Sequence, residues 1–212
     1  MQTSTHTAER ILMRGVPWET YLSLVEIEDR HTRIAYDQGV MEIMSPMKVH
    51  ERIGRLLGRM IETWTEVRGI DIVSVASTTF KQDEVSKGFE ADESYYIHNA
   101  DLVSHLEEVD LTLHPGPDLV VEVDITNSSM RKFGIYASLQ VAEVWRWEGE
   151  GLQLYTRTED SSELSGYKEI TESLVLPAFP LADAVRLIGQ RLQRGETPLI
   201  REFRSLAEAA SE

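Results

Sequence analysis

One stretch, Pro117 to Trp147, constrains this chain more than any other: PDLVVEVDITNSSMRKFGIYASLQVAEVWRW. In its first part Leu119, Val120, Val121, Val123 and Ile125 are apolar and mostly β-branched, the composition of a strand covered on both faces. Glu122 and Asp124 sit inside it. Residues two apart on a strand share a face, which puts these carboxylates roughly 6.6 Å apart at about 3.3 Å per residue. Buried anions need a cation or a proton. Thr126, Asn127, Ser128 and Ser129 then supply capping side chains, and Met130 to Leu139 reads as a helix. With a cap at Ser128 or Ser129, Lys132 falls in the first turn, close to the strand end that carries the acids.

A second stretch, Phe89 to Ile97 (FEADESYYI), reads as one strand with Glu90, Asp92, Ser94 and Tyr96 on one face and Phe89, Ala91 and Tyr95 on the other. As a neighbour of the central strand, about 4.8 Å away, it sets Asp92 against Glu122. Like charges facing each other destabilise a sheet. A hard divalent cation, Mg²⁺ or Mn²⁺, resolves the conflict by taking carboxylate and water oxygens at about 2.0 to 2.1 Å. Any one of these acids, taken singly, fits a solvated strand end; the set together with Lys132 favours a site.

Around these two stretches the chain is an alternation of strands and helices. Residues 1–15 read as a flexible polar arm, 16–195 as one domain and 196–212 as a partly helical tail. A short helix follows Pro17, and strands Thr32 to Tyr36 and Val40 to Met44 flank Asp37-Gln38-Gly39, a hairpin signal. From Lys48 to Val67, Ile53, Leu56, Leu57, Met60, Ile61 and Trp64 recur at helical spacing, and Gly69 closes the helix. Short strands are expected over Ile70 to Ala76 and Thr78 to Lys81, and a loop over 99–116. Ala142 to Trp147 and Leu152 to Thr156 make a second hairpin, Tyr167 to Ile170 and Ser173 to Leu176 further strand, and Leu181 to Leu192 a helix.

Acids outnumber Lys plus Arg by 36 to 21, a formal charge of −15, which argues against broad attraction to nucleic acid or an anionic membrane and leaves only local basic patches. With no cysteine there are no disulfides, thiolate ligands or thiol nucleophiles, which fits a reducing compartment. There is neither a long apolar run nor an apolar core near the N-terminus, so a cytoplasmic location is expected.

The passages GVMEIMSPMKVH, GFEADESYYI, GPDLVVEVDITNSSMRKFGIYASLQVAEVWRW and LQLYT strongly resemble the Uma-type family of bacterial putative restriction endonucleases, part of the PD-(D/E)XK nuclease superfamily. The match covers about residues 16 to 195. The resemblance implies an α/β (α+β) restriction-endonuclease-like fold, a mixed β-sheet flanked by helices, in which an Asp on one strand and a Glu-x-Lys on the next hold metal and activate water. Carried over, these are Asp92 and Glu122. Ala91 replaces the expected proline. Asp124 stands where the lysine is expected, and the lysine matches Lys132 on the following helix, whose flexible stem can reach back. His50 matches a histidine of the family pattern, suited to orienting a phosphate or a water.

The resulting expectation is Mg²⁺- or Mn²⁺-dependent hydrolysis of phosphodiester bonds in DNA, by a homodimer. Asp92 and Glu122 bind the ion, Asp124 assists through water, and Lys132 positions the water or phosphate. The alternatives are a degenerate nuclease fold that binds nucleic acid or a protein without cutting, and a scaffold unrelated to nucleic acid. Asp118, roughly 13 Å along the strand from Glu122, reads as a strand-start residue. Glu42 and Glu90 are candidates to line the site, Tyr136 shares a helix face with Lys132, and Trp145 and Trp147 share a strand face. Arg52, Arg55 and Arg59 share one face of the long helix, to meet either a phosphate backbone or solvent.

Overall fold

The run Leu119–Asp124 is a strand buried at every position, and the rest of the architecture follows from what covers its two faces. The computed structural model describes residues 10–125, 129–160 and 165–210. In chain order come β1 (Arg10–Arg14), α1 (Trp18–Val25), β2 (Arg33–Asp37), β3 (Val40–Met44) and the long α2 (Lys48–Arg68). Then follow β4 (Val73–Ser74), β5 (Phe80–Gln82), β6 (Lys87–Phe89), β7 (Glu93–Tyr96) and the short α3 (Ala100–Val103). The central strand is β8 (Leu119–Asp124), and a 3-10 turn, Ser129–Lys132, leads into α4 (Phe133–Ser138). The chain continues through β9 (Glu143–Glu148), β10 (Gly151–Arg157), β11 (Tyr167–Ile170), α5 (Leu181–Gly189) and α6 (Glu196–Ala209).

Two sheets result, with orders β1-β3-β2-β6-β5 and β11-β10-β9-β8-β7-β4. The second is mixed, because β8 runs parallel to β9 and antiparallel to β7. On one face of β8, Leu119, Val121 and Val123 pack with Trp145 and Trp147 against α2, α5 and α6. On the other, Val120 meets Phe133 and Tyr136 of α4, and by alternation Glu122 and Asp124 share that face. The helical face of α2 buries Ile53, Leu56, Leu57, Met60, Ile61 and Trp64, and Gly69 ends it in the left-handed region at φ 63°. Among the described residues no helix is long and apolar enough to cross a membrane.

Several elements differ from the reading of the sequence. Residues 10–14, assigned to the arm, form β1, which pairs with β3 from Arg10↔Met44 to Arg14↔Val40; an Arg10–Glu42 ion pair closes that end. In the tail, Glu196–Ala209 form a packed helix, since Leu199, Ile200, Phe203 and Ala207 of α6 are buried in the core under α2. FEADESYYI is two strands in two sheets, β6 and β7. Phe89 and Tyr96, an odd number of residues apart, nonetheless enter the same core, and the break falls at Glu90-Ala91-Asp92. Ser173 to Leu176 is a turn, whose Ser173 hydroxyl and Leu174 and Val175 amides bind the buried Glu143 carboxylate. Thr126 to Ser128, expected to cap the helix, lie outside the described residues.

Gly116 leads into β8 where the backbone after α4 passes close by, and a Cβ there would collide with the Leu139 carbonyl and the Gln140 backbone. Backbone cannot swing aside as a side-chain end can. Overpacking of this kind costs about 1–3 kcal/mol, so Gly116→Ala should lower the melting temperature by roughly 2–12 °C, at about 2–4 °C per kcal/mol for a chain of this size. Circular dichroism melting checks it.

Candidate active site

The register of the mixed sheet brings the two acids together. Glu93 pairs with Val121 and Ser94 with Val120, so Asp92, just before β7, lies against the Val121–Val123 end of β8, near enough for its charge to act on Glu122. The Asp92 amide donates to the Val121 carbonyl, 3.2 Å, and the Asp92 Oδ2 accepts from the Val123 amide, 2.7 Å. Both carboxylates are buried, Asp92 at 7% and Glu122 at 2% exposure. Gly54 of α2 lies directly against this place, since a Cβ there would meet Val123 and Asp92 at ordinary contact, 3.5 and 3.6 Å.

Lys132 reaches the pair from the helical side. Its Nζ donates to both oxygens of Glu122, at 2.9 and 2.8 Å, and the Tyr136 hydroxyl, one turn on, donates to Glu122 Oε1. The position of the helix is itself fixed by Asp124. Its carboxylate accepts from the Ser129 amide at 3.0 and 2.8 Å and from the Ser129 hydroxyl at 3.0 Å, and pairs with Arg146 of β9. Its oxygens thus tie β8, the following turn and β9 together.

Asp92 is met from two further elements. Arg33 of β2 places Nη1 3.1 Å from Oδ1 without hydrogen-bond alignment, so this buried oxygen has no hydrogen bond among the described residues. Arg33 also donates to the Ala91 carbonyl and to Glu51, at 3.1 and 2.7 Å. His50 of α2 sets Nε2 3.4 Å from Asp92 Oδ2, and its Nδ1 is buried without a hydrogen bond among the described residues. Ligand atoms of His50, Glu51 and Asp92 all lie within 4.8 Å of one another.

The electrostatics follow from burial. Desolvation pushes Asp92 up to about 6, although Arg33 and Lys132 pull the other way. Glu122 is raised by the same cause, with Lys132 opposing and Asp92 adding to it. For Lys132, burial pulls the ammonium down, but Glu122 and Asp92 outweigh it and hold it charged. Burial lowers His50, which favours a neutral ring near neutral pH. The site therefore gathers two carboxylates in a dry setting beside a fixed cation.

Residues 18–186 match the model of the Uma2 family, described as putative restriction endonuclease. The chain belongs to this family. A solved structure of a putative nuclease belonging to DUF820 from Anabaena variabilis ATCC 29413 is similar in fold, with a TM-score of 0.54 and 14% identity over 82% of this chain and 99% of that one. No curated protein matches.

Within this Uma2 member the structure collects Asp92, Glu122, Lys132, His50 and Tyr136, and leaves three other candidates in supporting places. Glu90 binds the Arg30 guanidinium, the Ile34 amide at 2.8 Å and the Thr79 hydroxyl. Asp118 clamps the amides of Ile97 and Asn99, at 2.7 and 3.0 Å. Glu42 pairs with Arg10 and shares a small side cavity with Lys132. Sequence reasoning passed over Arg33, Glu51 and Arg146. Glu51 carried a signal, an acid beside His50 in the first turn of a helix; Arg33 and Arg146 carried none, since only tertiary pairing brings them to the acids.

Proposed function

We propose that this protein is a divalent-metal-dependent DNA endonuclease with Asp92, Glu122, Lys132 and His50 at its centre. The observation that carries the reading is the meeting of Asp92 and Glu122, from neighbouring strands, in a buried place where Lys132 is held against one of them. The donor set fits Mg²⁺ or Mn²⁺: Asp92, whose buried Oδ1 has no hydrogen bond among the described residues, groups with His50 and Glu51, and the hard carboxylate of Glu122 lies near it. Asp92 and Glu122 would hold the ion, and when bound it supplies Lewis acidity to the phosphate and the attacking water.

The side chains do the rest. Lys132 brings a fixed positive charge to the place where negative charge develops on the phosphate. Tyr136 keeps its proton, since burial and Glu122 raise its pKa well above the usual value, and so it remains a donor that orients Glu122. A neutral His50 with Nε2–H toward Asp92 orients that carboxylate and leaves Nδ1 as an acceptor. Asp124 and Arg146 hold the turn that presents Lys132. Cutting both strands of a duplex calls for two such sites, which a homodimer supplies.

The reading predicts a linked response to metal and pH. A carboxyl raised from 3.8 to about 6 in the fold stabilises the protein when protonated, so this contribution is present at acid pH and is lost as pH rises through about 6. A bound cation favours the ionised form and reverses that loss. Millimolar Mg²⁺ should therefore raise the melting temperature by several degrees above about pH 7 and much less at about pH 5. Asp92→Asn should show neither the shift nor its pH dependence. Plasmid cleavage that requires Mg²⁺ or Mn²⁺ and stops with chelator completes the test; binding of DNA without cleavage under all these conditions would favour the degenerate-fold alternative.

A further inference from the structure

The arginines of α2 have a use that the catalytic centre leaves unassigned. A cleft of about 550 Å³ opens on Asp92, and Lys48, Arg52 and Arg55 line it. With Arg59, these residues follow one another at spacings of four, three and four, so they share one face of the helix. At 1.5 Å per residue the row is about 16 Å long, the length of roughly five base-pair steps of duplex at 3.4 Å each. On a chain of net charge −15, such a row is the local exception that binding to a polyanion needs.

The row is only partly neutralised. Arg55, whose side chain is 59% exposed, stands 3.6 Å from Glu93 and 3.7 Å from Glu62. Arg52 and Arg59 converge on a single carboxylate: Glu196, the first residue of α6, lies 3.2 Å from Arg52 Nε and 3.4 Å from Arg59 Nη1. Glu196 also lines the cleft. One carboxylate shared between two guanidiniums, each side chain about a third exposed, occupies the place a phosphate oxygen would take. Surface pairs of this kind are weak, so a phosphate can displace it.

The cleft is balanced overall, with four basic and four acidic residues in its lining, Asp92 among the latter. Loading a divalent cation at Asp92 tips that balance to positive.

We propose that the α2 row of Lys48, Arg52, Arg55 and Arg59 is the track for the nucleic-acid backbone leading to Asp92, and that Glu196 is a resident carboxylate which competes with the backbone phosphate for Arg52 and Arg59. The proposal rests on the nuclease reading for the end of the track and extends it by naming the surface, its competitor and the dependence of binding on metal.

The experiment is fluorescence anisotropy of a labelled DNA duplex with the full chain, in Ca²⁺ and in chelator, over a series of salt concentrations. Wild type should bind more tightly in Ca²⁺ than in chelator. Glu196→Gln should tighten binding by about three- to fivefold, the scale of a surface ion pair, with little change in melting temperature. Arg55→Gln, at an exposed position, should weaken binding and lower the salt slope by about one, the value for a single lost phosphate contact. Arg52→Gln should do the same, and adding Glu196→Gln to it should recover less than Glu196→Gln gives alone.

Unchanged affinity and salt slope in both Glu196→Gln and Arg55→Gln would overturn the proposal, as would a wild type that does not bind the duplex. The melting shift with Mg²⁺ is measured on the same samples: if it persists while the track variants behave as wild type, the metal site stands and the track falls. If the shift is absent while the track variants behave as stated, the track stands on a protein that binds without the proposed ion.

Discussion

Lys132→Met should cut DNA cleavage by about a hundred- to a thousandfold, the scale of losing one preorganised electrostatic group at a reacting phosphate. Methionine keeps much of the length and removes the charge. The structure adds a second consequence. Lys132 Nζ donates to both oxygens of Glu122 at a place where both side chains are almost wholly buried, so without it the Tyr136 hydroxyl is the side-chain partner left to Glu122 among the described residues. Stripping one partner from a buried pair costs about 3–5 kcal/mol, part of which protonation of Glu122 recovers. Without metal the variant should therefore melt well below wild type, and Mg²⁺ should stabilise it more than wild type, because the ion replaces the lost charge. Cleavage kinetics and melting curves with and without Mg²⁺ separate the two effects. Wild-type rates in the variant would remove Lys132 from the chemistry.

The second large effect is expected at Arg146, which lies beside Glu122 in the parallel ladder of β8 and β9. Its guanidinium pairs with Asp124 and also reaches Glu148 and Gln153, at 3.0 and 2.8 Å from Nη1. Asp124 in turn holds the Ser129 amide and hydroxyl, three residues before Lys132. Arg146→Met leaves Asp124 buried without its counter-charge, a loss of about 3–5 kcal/mol, or on the order of 10 °C in melting temperature. The double variant Arg146→Met with Asp124→Asn should be less destabilised than the sum of the two single changes, since the second removes the anion that the first strands. Strict additivity would show that the pair does not act as a unit.

These two networks mark how far the sequence could be read. Periodicity located the long helix from Lys48, the hairpin around Gln38-Gly39 and the buried central strand, because each depends on a local repeat of apolar residues. That Asp92, Glu122 and Lys132 come together was legible because the resemblance puts them on adjoining elements, and because two acids in an otherwise apolar strand stand out. The break between Phe89 and Glu93 was not legible: alternation looks continuous there, and only the assignment of β6 and β7 to different sheets turns the chain at Asp92. Nor were the burial of α6, which depends on the face α2 offers it, or the pairing of Asp124 with Arg146 of β9, which tertiary structure alone brings about. Residues 10–14 were placed in the arm for the same reason, since β1 is defined by its partner β3 more than by its own five residues.

Anomalous diffraction from a crystal soaked in Mn²⁺ tests the site most directly. The proposed function predicts a peak in contact with the carboxylates of both Asp92 and Glu122, with Lys132 Nζ moved off Glu122 to make room. A crystal that takes up Mn²⁺ only at exposed acids, with Lys132 still on Glu122 and Asp92 free of metal, would contradict it.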